Sequence, residues 1–344
     1  MLRGEHELGP SLSKLDGQPE PLHPGFQRFV DDIAMLQAAG APSWDQLTAE
    51  QLRAATRDLR KGAAPVTGVE RLDLTVGGSE GPLDARLYVP PAIGNSSAGL
   101  VYFHGGGFAI GSIESHDGIA ARLALASGVR ILSVEYRLGP EYRFPAAHDD
   151  ALASSRWAFD HAKVIGFDPS RIGIGGDSAG ANLAASTSLA MRGDANRPVR
   201  FQLLAYPNTT ILGSGGSRAV YAEGHYLTLA AAHHLFQFYV DEEAALDPRI
   251  DLLHRDDLTG LPPTLMAVAQ CDILADECLA FAAKMRSAGV LVEVQTYPGF
   301  IHGFLGFSEQ VPDVDHAFDA IGRALAVGLG GAEPCQHRPR KSAG

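Results

Sequence analysis

Cysteine is scarce in this sequence and long apolar runs are missing, and both absences narrow the class of protein. Three of the 344 residues are cysteine, an odd number that does not suggest a disulfide framework. No CxxC pair or HExxH pattern occurs, so we predict no metal site. A membrane-spanning helix needs about 18 consecutive apolar residues, and no such run is present. Residues 1–15 mix charges with glycine and proline, unlike a secretory signal peptide.

The sequence also lacks an excess of basic residues. It has 28 Lys and Arg against 40 Asp and Glu, a formal net charge of −12. An acidic protein has no positive field to attract nucleic acid and is repelled by anionic membrane surfaces. Its 45% hydrophobic and 20% charged residues are typical of a globular protein. We therefore expect a soluble, cytoplasmic enzyme without a nucleic-acid partner.

Strand-like and helix-like segments alternate from residue 69 onward. Some strand segments are continuous apolar runs, such as residues 100–103, which is typical of strands buried on both faces of a parallel sheet. The alternation predicts a doubly wound α/β sheet, with an antiparallel hairpin of its first two strands at one edge. The predicted strands cover residues 69–76, 85–89, 100–104, 129–136, 171–175, 201–206, 264–269 and 292–297. The predicted helices of this region cover residues 119–126, 151–165, 179–191, 278–286 and 314–327.

Other segments fall outside this alternation. Two helical patterns, at residues 26–36 and 48–60, precede the first strand. Residues 207–240 contain a Gly/Ser-rich loop and an apolar helix without a strand, and we interpret them as an insertion that packs beside the N-terminal helices. Residues 330–344 contain proline and several basic residues and are predicted to be a disordered tail.

The sequence G-D-S-A-G at residues 176–180 fits the G-x-S-x-G pattern of a nucleophile elbow. A predicted strand precedes it and a helix rich in Ala and Leu follows it. In such an elbow the serine has a strained backbone, and the glycines keep the turn free of Cβ clashes. Ser178 is therefore the predicted nucleophile. The same residues fit neither a dinucleotide-binding fingerprint nor a P-loop, because the third small residue and the Gly-Lys-Ser/Thr sequence are missing.

Three consecutive glycines follow the strongest apolar strand, in the sequence H-G-G-G at residues 104–107. Such a turn can aim backbone N–H groups at the oxyanion of a tetrahedral intermediate. The predicted donors are the N–H groups of Gly105, Gly106 and Ala179, the last of which follows the nucleophile. His104 is interpreted as a structural residue that holds the loop.

The chain order of this fold, Ser then Asp or Glu then His, selects the acid and the base. His302 lies on a loop after a strand with glycines nearby on both sides, and it is the predicted base. Asp272 follows the preceding strand and is the predicted acid, which would orient His302 and stabilise its imidazolium. Asp276 competes for this role but also fits the N-cap of the next helix. Asp177 is interpreted as a carboxylate that anchors a turn or loop.

These blocks together resemble the hormone-sensitive lipase family of α/β-hydrolases, the bacterial family IV esterases. The resemblance rests on H-G-G-G-F at residues 104–108, on G-D-S-A-G at residues 176–180 and on H-G-F at residues 302–304. It rests further on Y-R-L-x-P-E-x-x-F-P-A-A-x-D-D-A at residues 136–151. The matching region runs from about residue 100 to residue 304.

The resemblance implies an α/β-hydrolase fold with an eight-stranded, mostly parallel sheet flanked by helices. It also implies a discontinuous helical cap, which we assign to residues 1–68 and 207–240. The catalytic domain would then comprise residues 69–206 and 241–329.

The resemblance further implies a serine carboxylesterase that hydrolyses short- to medium-chain acyl esters without a cofactor or metal. Family members often form homodimers through the edge of the last strand. The chain departs from the family pattern at Glu135, at Ala181 and at the Asp-Ile-Leu of residues 272–274, which leaves its substrate preference open.

Two alternative functions stay open at this point: an amidase or peptidase on the same fold, and a non-catalytic receptor for a small ligand. The plant receptor class that resembles this family lacks the catalytic histidine, whereas His302 is present here.

Overall fold

Eight strands form one mixed sheet at the centre of the fold. The computed structural model describes residues 19–58, 65–91, 93–94 and 96–331. The strands are β1 (Glu70–Gly77), β2 (Pro82–Val89), β3 (Ser97–Phe103), β4 (Arg130–Val134), β5 (Phe167–Asp177), β6 (Gln202–Ala205), β7 (Thr264–Cys271) and β8 (Val292–Ile301). Their order across the sheet is β1-β2-β4-β3-β5-β6-β7-β8. Each of the eight predicted strands is present.

The pairing of these strands confirms the predicted α/β sheet. β1 pairs antiparallel with β2, and β2 with β4, whereas the remaining neighbours are parallel. The hairpin of β1 and β2 lies at one edge, as predicted, and β8 forms the other edge. β3 and β4 are buried along their whole length, and in β3 this burial explains the apolar run of residues 100–103.

Helices cover both faces of this sheet. They are α1 (Pro24–Ala38), α2 (Ala49–Asp58), α3 (Asp117–Ser127), α4 (Ala146–Asp160), α5 (Ala179–Met191), α6 (Gly216–Val220), α7 (Leu229–Tyr239), α8 (Ala275–Ser287) and α9 (Val314–Gly328). Helices α3 and α9 share a hydrophobic cluster with Leu100 and Tyr102 of β3. Helices α4, α5 and α8 share another with Val101 and Phe103, because successive strand residues face opposite sides of a sheet. Of the helices in the described part of the chain, none is long and apolar enough to cross a membrane.

The bounds of α4 differ from the prediction, which placed a helix over residues 151–165. The helix begins at Ala146 and ends at Asp160. Its first turns carry buried polar residues, so apolar periodicity does not mark its start. His148 is 3.0 Å from the side chains of both Asn182 and Tyr239, and these contacts satisfy its ring nitrogens.

Helix α6 lies where the sequence predicts only a loop. A helix of five residues has little stability of its own, and α8 holds this one through side chains. The Ser217 N–H donates to Asp276 Oδ2 at 2.8 Å. Arg218 Nη2 donates to Glu277 Oε2 at 2.6 Å, in an ion pair that is almost fully buried. Such tertiary contacts leave no local signal in the sequence.

Some predicted segments extend past the described part of the chain. The helix predicted over residues 48–60 corresponds to α2, and residues 59–60 lie outside the described residues. Residues 332–344 of the predicted tail also lie outside them, as do residues 1–18.

The insertion at residues 207–240 packs beside the N-terminal segment, as predicted. Helix α7 contacts the 3₁₀ turn Trp44–Gln46, which lies between α1 and α2. His234 Nε2 donates to the backbone oxygen of Leu47 at 2.7 Å. Two chain segments that are distant in sequence are therefore in direct contact.

The close approach of α5 to β3 is directly testable at Gly180. A Cβ at this position would overlap the carbonyl oxygen of Phe103 and lie 2.5 Å from that of His104. We expect Gly180→Ala to lower the free energy of unfolding by about 1–3 kcal/mol, as overpacking against fixed atoms does. Urea unfolding would measure the change. Gly94→Ala is the control, since its Cβ would meet nothing within 4 Å. Equal midpoints for both variants would contradict this account of the packing.

Candidate active site

Ser178 lies in a sharp turn between β5 and α5. Its backbone φ is 52° and its ψ is −119°, a strained conformation for a residue with a Cβ. Gly176 and Gly180 make the turn possible, because a Cβ on Gly176 would collide with the carbonyl group of Gly180. The Ser178 N–H donates to the oxygen of Ala205 on β6 at 2.9 Å. The turn is thereby fixed to the neighbouring strand, and the side chain stands at the carboxyl end of the sheet.

The structure brings Ser178, His302 and Asp272 into one hydrogen-bonded chain. Ser178 Oγ lies 2.8 Å from His302 Nε2, and His302 Nδ1 lies 2.7 Å from Asp272 Oδ2. The other oxygen of Asp272 accepts the N–H of Leu274 at 3.0 Å. All three side chains are at least nine-tenths buried. Each residue directly follows the last residue of a strand, β5, β7 or β8, which is where parallel sheets place their sites.

Asp276 lies outside this chain of hydrogen bonds. Its Oδ2 accepts the N–H of Ser217, and it belongs to the first turn of α8, whose N-cap is Leu274. The N-cap interpretation of Asp276 is therefore wrong. Of the two carboxylates that the sequence offered as the acid, Asp272 is the one that contacts His302.

The glycine loop, residues 104–111, differs from the prediction at Gly105. The N–H of Gly105 donates to Asp177 Oδ1 at 2.9 Å, and that oxygen also accepts the hydroxyl of Tyr102 at 2.5 Å. The prediction that Gly105 supplies an oxyanion donor is therefore wrong. A buried carboxylate needs hydrogen-bond donors. Asp177 accepts the N–H of Gly105, which the sequence analysis had assigned to the oxyanion.

The next two glycines lie at the cavity in front of Ser178. Gly106 and Gly107 line it, with φ values of 120° and 59°. A Cβ on Gly106 would collide with the carbonyl oxygen of Ile110, so this turn requires glycine. Ala179 is the first residue of α5, and the first N–H groups of a helix have no partner within it. Gly107 is thus a candidate donor that the sequence prediction missed.

Asp177 is a charged group immediately beside the nucleophile. It is 4% exposed. Burial raises the pKa of this carboxyl, but the nearby His116 and the Tyr102 hydroxyl outweigh that effect and lower it below its usual value. His116 Nε2 lies 3.6 Å from Asp177 Oδ2. These contacts agree with its interpretation as a loop-anchoring carboxylate.

His104 has structural contacts at the start of the glycine loop. Its Nδ1 lies 2.8 Å from the oxygen of Gly105, and its own carbonyl accepts the hydroxyl of Tyr136 at 2.7 Å. Complete burial lowers the pKa of His104 to about 3, so the ring is neutral near pH 7. A neutral ring bound to backbone holds a turn, as the sequence interpretation proposed.

The cavity in front of Ser178 has a volume of about 140 Å³ and a largely apolar lining. Aromatic side chains reach it from α1, from the 3₁₀ turn, from residues 207–240 and from the loop after β8. Among the described residues that line it there is no lysine or arginine. Nowhere in the described part of the chain do three or more His, Cys, Asp or Glu side chains form a possible metal site. The aromatic lining residues are Phe29, Trp44, Tyr226, Phe236 and Phe307.

A strand–serine–helix elbow on this sheet, with a histidine and an aspartate after two later strands, defines an α/β-hydrolase. Residues 100–306 match a family model described as the alpha/beta hydrolase fold. The chain therefore belongs to the α/β-hydrolase fold family, in its hormone-sensitive lipase-like branch.

Similar proteins are named as ester hydrolases. Esterase LipI of Mycobacterium tuberculosis is 35% identical over 287 residues, covering 82% of this chain and 89% of its own. Ethyl acetate hydrolase of Pseudomonas putida is 36% identical over 248 residues, covering 71% and 78%. The solved structure of an ester hydrolase from the Lake Arreo metagenome, in complex with a bipyridine phosphonate derivative, matches with a TM-score of 0.86 and 34% identity. It covers 90% of this chain and 99% of its own. The chain is a carboxylic ester hydrolase.

The role of Asp177 can be tested with two variants. Asp177→Ala should release the Gly105 N–H and leave the buried Tyr102 hydroxyl without its acceptor, at a cost of about 1–3 kcal/mol in the free energy of unfolding. Because the glycine loop loses its anchor, the kcat for ester hydrolysis should fall about tenfold or more. Asp177→Asn retains an acceptor oxygen and should lose less of both. Wild-type stability and kcat in Asp177→Ala would show that the anchor is unimportant.

Proposed function

We propose that the chain hydrolyses uncharged acyl esters through a covalent acyl-enzyme on Ser178. The observation that carries the proposal is the hydrogen-bonded chain from Ser178 Oγ through His302 to Asp272, with distances of 2.8 and 2.7 Å. In the first step Ser178 Oγ attacks the ester carbonyl carbon while His302 Nε2 takes the hydroxyl proton. Asp272 accepts the Nδ1–H of His302, orients the ring and stabilises the imidazolium that forms.

The remaining steps return the enzyme to its starting state. The tetrahedral intermediate loses the alkoxide as its C–O bond breaks, and His302 gives this leaving group its proton. A water molecule, deprotonated by His302, then attacks the acyl carbonyl carbon. Cleavage of the bond to Ser178 Oγ releases the carboxylic acid, and the proton returns from His302 to the serine.

The oxyanion of both tetrahedral intermediates is assigned to the N–H groups of Gly106, Gly107 and Ala179. Gly105 is left out because its N–H binds Asp177. Support for the assignment comes from the position of Gly106 and Gly107 at the cavity and of Ala179 at the start of α5. Such donors stabilise the developing charge in the transition state, and each contributes about 2.7–4 kcal/mol.

The acyl group is assigned to the apolar cavity, which supports a short- to medium-chain preference. With no lysine or arginine among the described lining residues, a substrate carboxylate would be desolvated there without a guanidinium or ammonium partner. Phe29 and Trp44 come from the N-terminal segment, and Tyr226 and Leu235 come from the insertion. Residues 1–68 and 207–240 are accordingly assigned to a cap over the site.

The two alternative functions fit less well. Ligand binding by a receptor does not require the contact between His302 and Ser178. The similar proteins are named as ester hydrolases, which favours ester over amide cleavage. The homodimer through the edge strand β8 and the cytoplasmic location stay predictions.

Ser178→Ala tests the nucleophile. Without the Oγ no acyl-enzyme forms, and we expect kcat to fall by about 10⁴–10⁶-fold, as in other enzymes that lose a catalytic serine. The assay is hydrolysis of p-nitrophenyl esters from acetate to laurate, where the wild-type chain should prefer the shorter esters. Ser186→Ala is the matched control, because it removes a serine from the same helix. Full activity of Ser178→Ala would rule out the assigned nucleophile.

A further inference from the structure

Arg53 lies on α2 and is absent from the lining of the cavity, yet its guanidinium contacts the glycine loop. Its Nε donates to the backbone oxygen of Ala109 at 2.8 Å. Its Nη2 donates to the backbone oxygen of Gly139 at 2.6 Å. The same guanidinium binds both carboxylate oxygens of Glu141, at 2.9 and 2.7 Å. One side chain of the predicted cap therefore joins three points of the catalytic domain.

The first contact lies in the turn that carries the proposed oxyanion donors. Gly106 O accepts the N–H groups of Ala109, at 3.1 Å, and of Ile110, at 2.9 Å. The turn is closed by these two bonds, so a displacement of Ala109 would also displace Gly106 and Gly107. Arg53 holds the carbonyl of Ala109 from outside this turn.

The second contact reaches the same turn by another path. Gly139 N–H donates to Phe108 O at 2.9 Å, and the carbonyl of Gly139 accepts from Arg53. Arg53 thus restrains the glycine loop at two successive residues, directly at Ala109 and through Gly139 at Phe108.

Phe108 is the residue of the glycine loop whose backbone conformation depends on such contacts. Its φ is 60°, a conformation that strains the backbone of a residue with a Cβ and persists only where surrounding contacts enforce it. The strained residue directly follows Gly107, whose amide we assign to the oxyanion. Contacts that hold Phe108 and Ala109 therefore also set the direction of the neighbouring amides.

The chemistry of Arg53 suits this task better than lysine would. A guanidinium has five N–H donors in a rigid planar fork, whereas an ammonium is a compact charge on a flexible stem. The ion pair with Glu141 is partly exposed, and such pairs add little stability by themselves. The contact with Glu141 orients the guanidinium of Arg53 so that Nε and Nη2 point at the carbonyl oxygens of Ala109 and Gly139.

We propose that Arg53 is a positioning residue, which seats the cap helix α2 and fixes the proposed oxyanion amides through the same guanidinium. The proposal rests on the proposed acyl-enzyme function. Loss of Arg53 should weaken transition-state stabilisation more than substrate binding, because the residue contacts the glycine loop and does not line the cavity.

The first experiment compares Arg53→Met with Arg57→Met in the hydrolysis of p-nitrophenyl butyrate. Arg57 is exposed and lies one turn further along α2, so its variant removes the same charge from the same helix. We expect kcat of Arg53→Met to fall at least tenfold, less than the about 10²–10³-fold cost of deleting an oxyanion donor. KM should change by less than about twofold, and Arg57→Met should resemble the wild type. An unchanged kcat, or a change in KM alone, would overturn the proposal.

A second readout separates positioning of the amides from general destabilisation. An alkyl trifluoromethyl ketone adds to Ser178: the Oγ–C bond forms, the carbonyl becomes an oxyanion and the serine proton passes to His302. Such adducts depend on the oxyanion donors, as transition-state analogues do. Inhibition by this ketone should weaken in Arg53→Met by the same factor as kcat/KM. Inhibition by the matched alcohol, which cannot form the adduct, should not change. Equal weakening of both inhibitors would overturn the proposal.

Two milder variants keep the test decisive if Arg53→Met does not fold. Arg53→Lys should lose part of kcat, and Glu141→Gln, which retains the carbonyl contacts of Arg53, should lose less. Wild-type kcat in both variants would contradict the positioning role. Absence of ester hydrolysis by the wild-type chain would instead refute the proposed function, so the two failures are distinguishable.

Discussion

The buried carboxylate of Asp177 is the contact on which the geometry of the site depends. It accepts one hydrogen bond from β3, through Tyr102, and one from the glycine loop, through the N–H of Gly105. Since Asp177 directly precedes Ser178, these bonds fix the loop relative to the nucleophile. An ionised group in this position must keep its donors, because an unpaired buried charge is costly. The amides that we propose to bind a substrate oxygen are therefore those further along the loop.

The same loop is held from outside as well. Asp177 anchors its start, and Arg53 of α2 holds the carbonyl of Ala109 near its end. Gly106 and Gly107 lie between these two points. Because a glycine has no side chain, no side-chain packing of these two residues can fix their backbone. This arrangement makes helix α2, which we assign to the proposed cap, part of the support of the proposed catalytic amides. The contacts of Arg53 with Ala109 and Gly139 also explain how the strained backbone of Phe108 persists.

Much of the fold and the Ser–His–Asp arrangement could be predicted, because their signals are local in sequence. Apolar runs mark the buried strands, and the elbow pattern and the chain order select Ser178, Asp272 and His302. The role of Gly105 could not be predicted, since its partner lies 72 positions away. Helix α6 was missed because contacts to Asp276 and Glu277, and not its own residues, hold it. Arg53 gave no signal, as an arginine on a short polar helix has no distinctive pattern.

The proposed covalent attachment of the acyl group to Ser178 during hydrolysis can be trapped and located. p-Nitrophenyl dimethylcarbamate is a suitable probe, because a dimethylcarbamoyl group leaves a serine slowly and its position can be located by mass spectrometry. We expect release of about one p-nitrophenol per chain, one carbamoyl group on the peptide that contains Ser178, and parallel loss of ester hydrolysis. Attachment to a different residue, or full ester turnover by the carbamoylated chain, would rule out Ser178 as the residue that carries the acyl group.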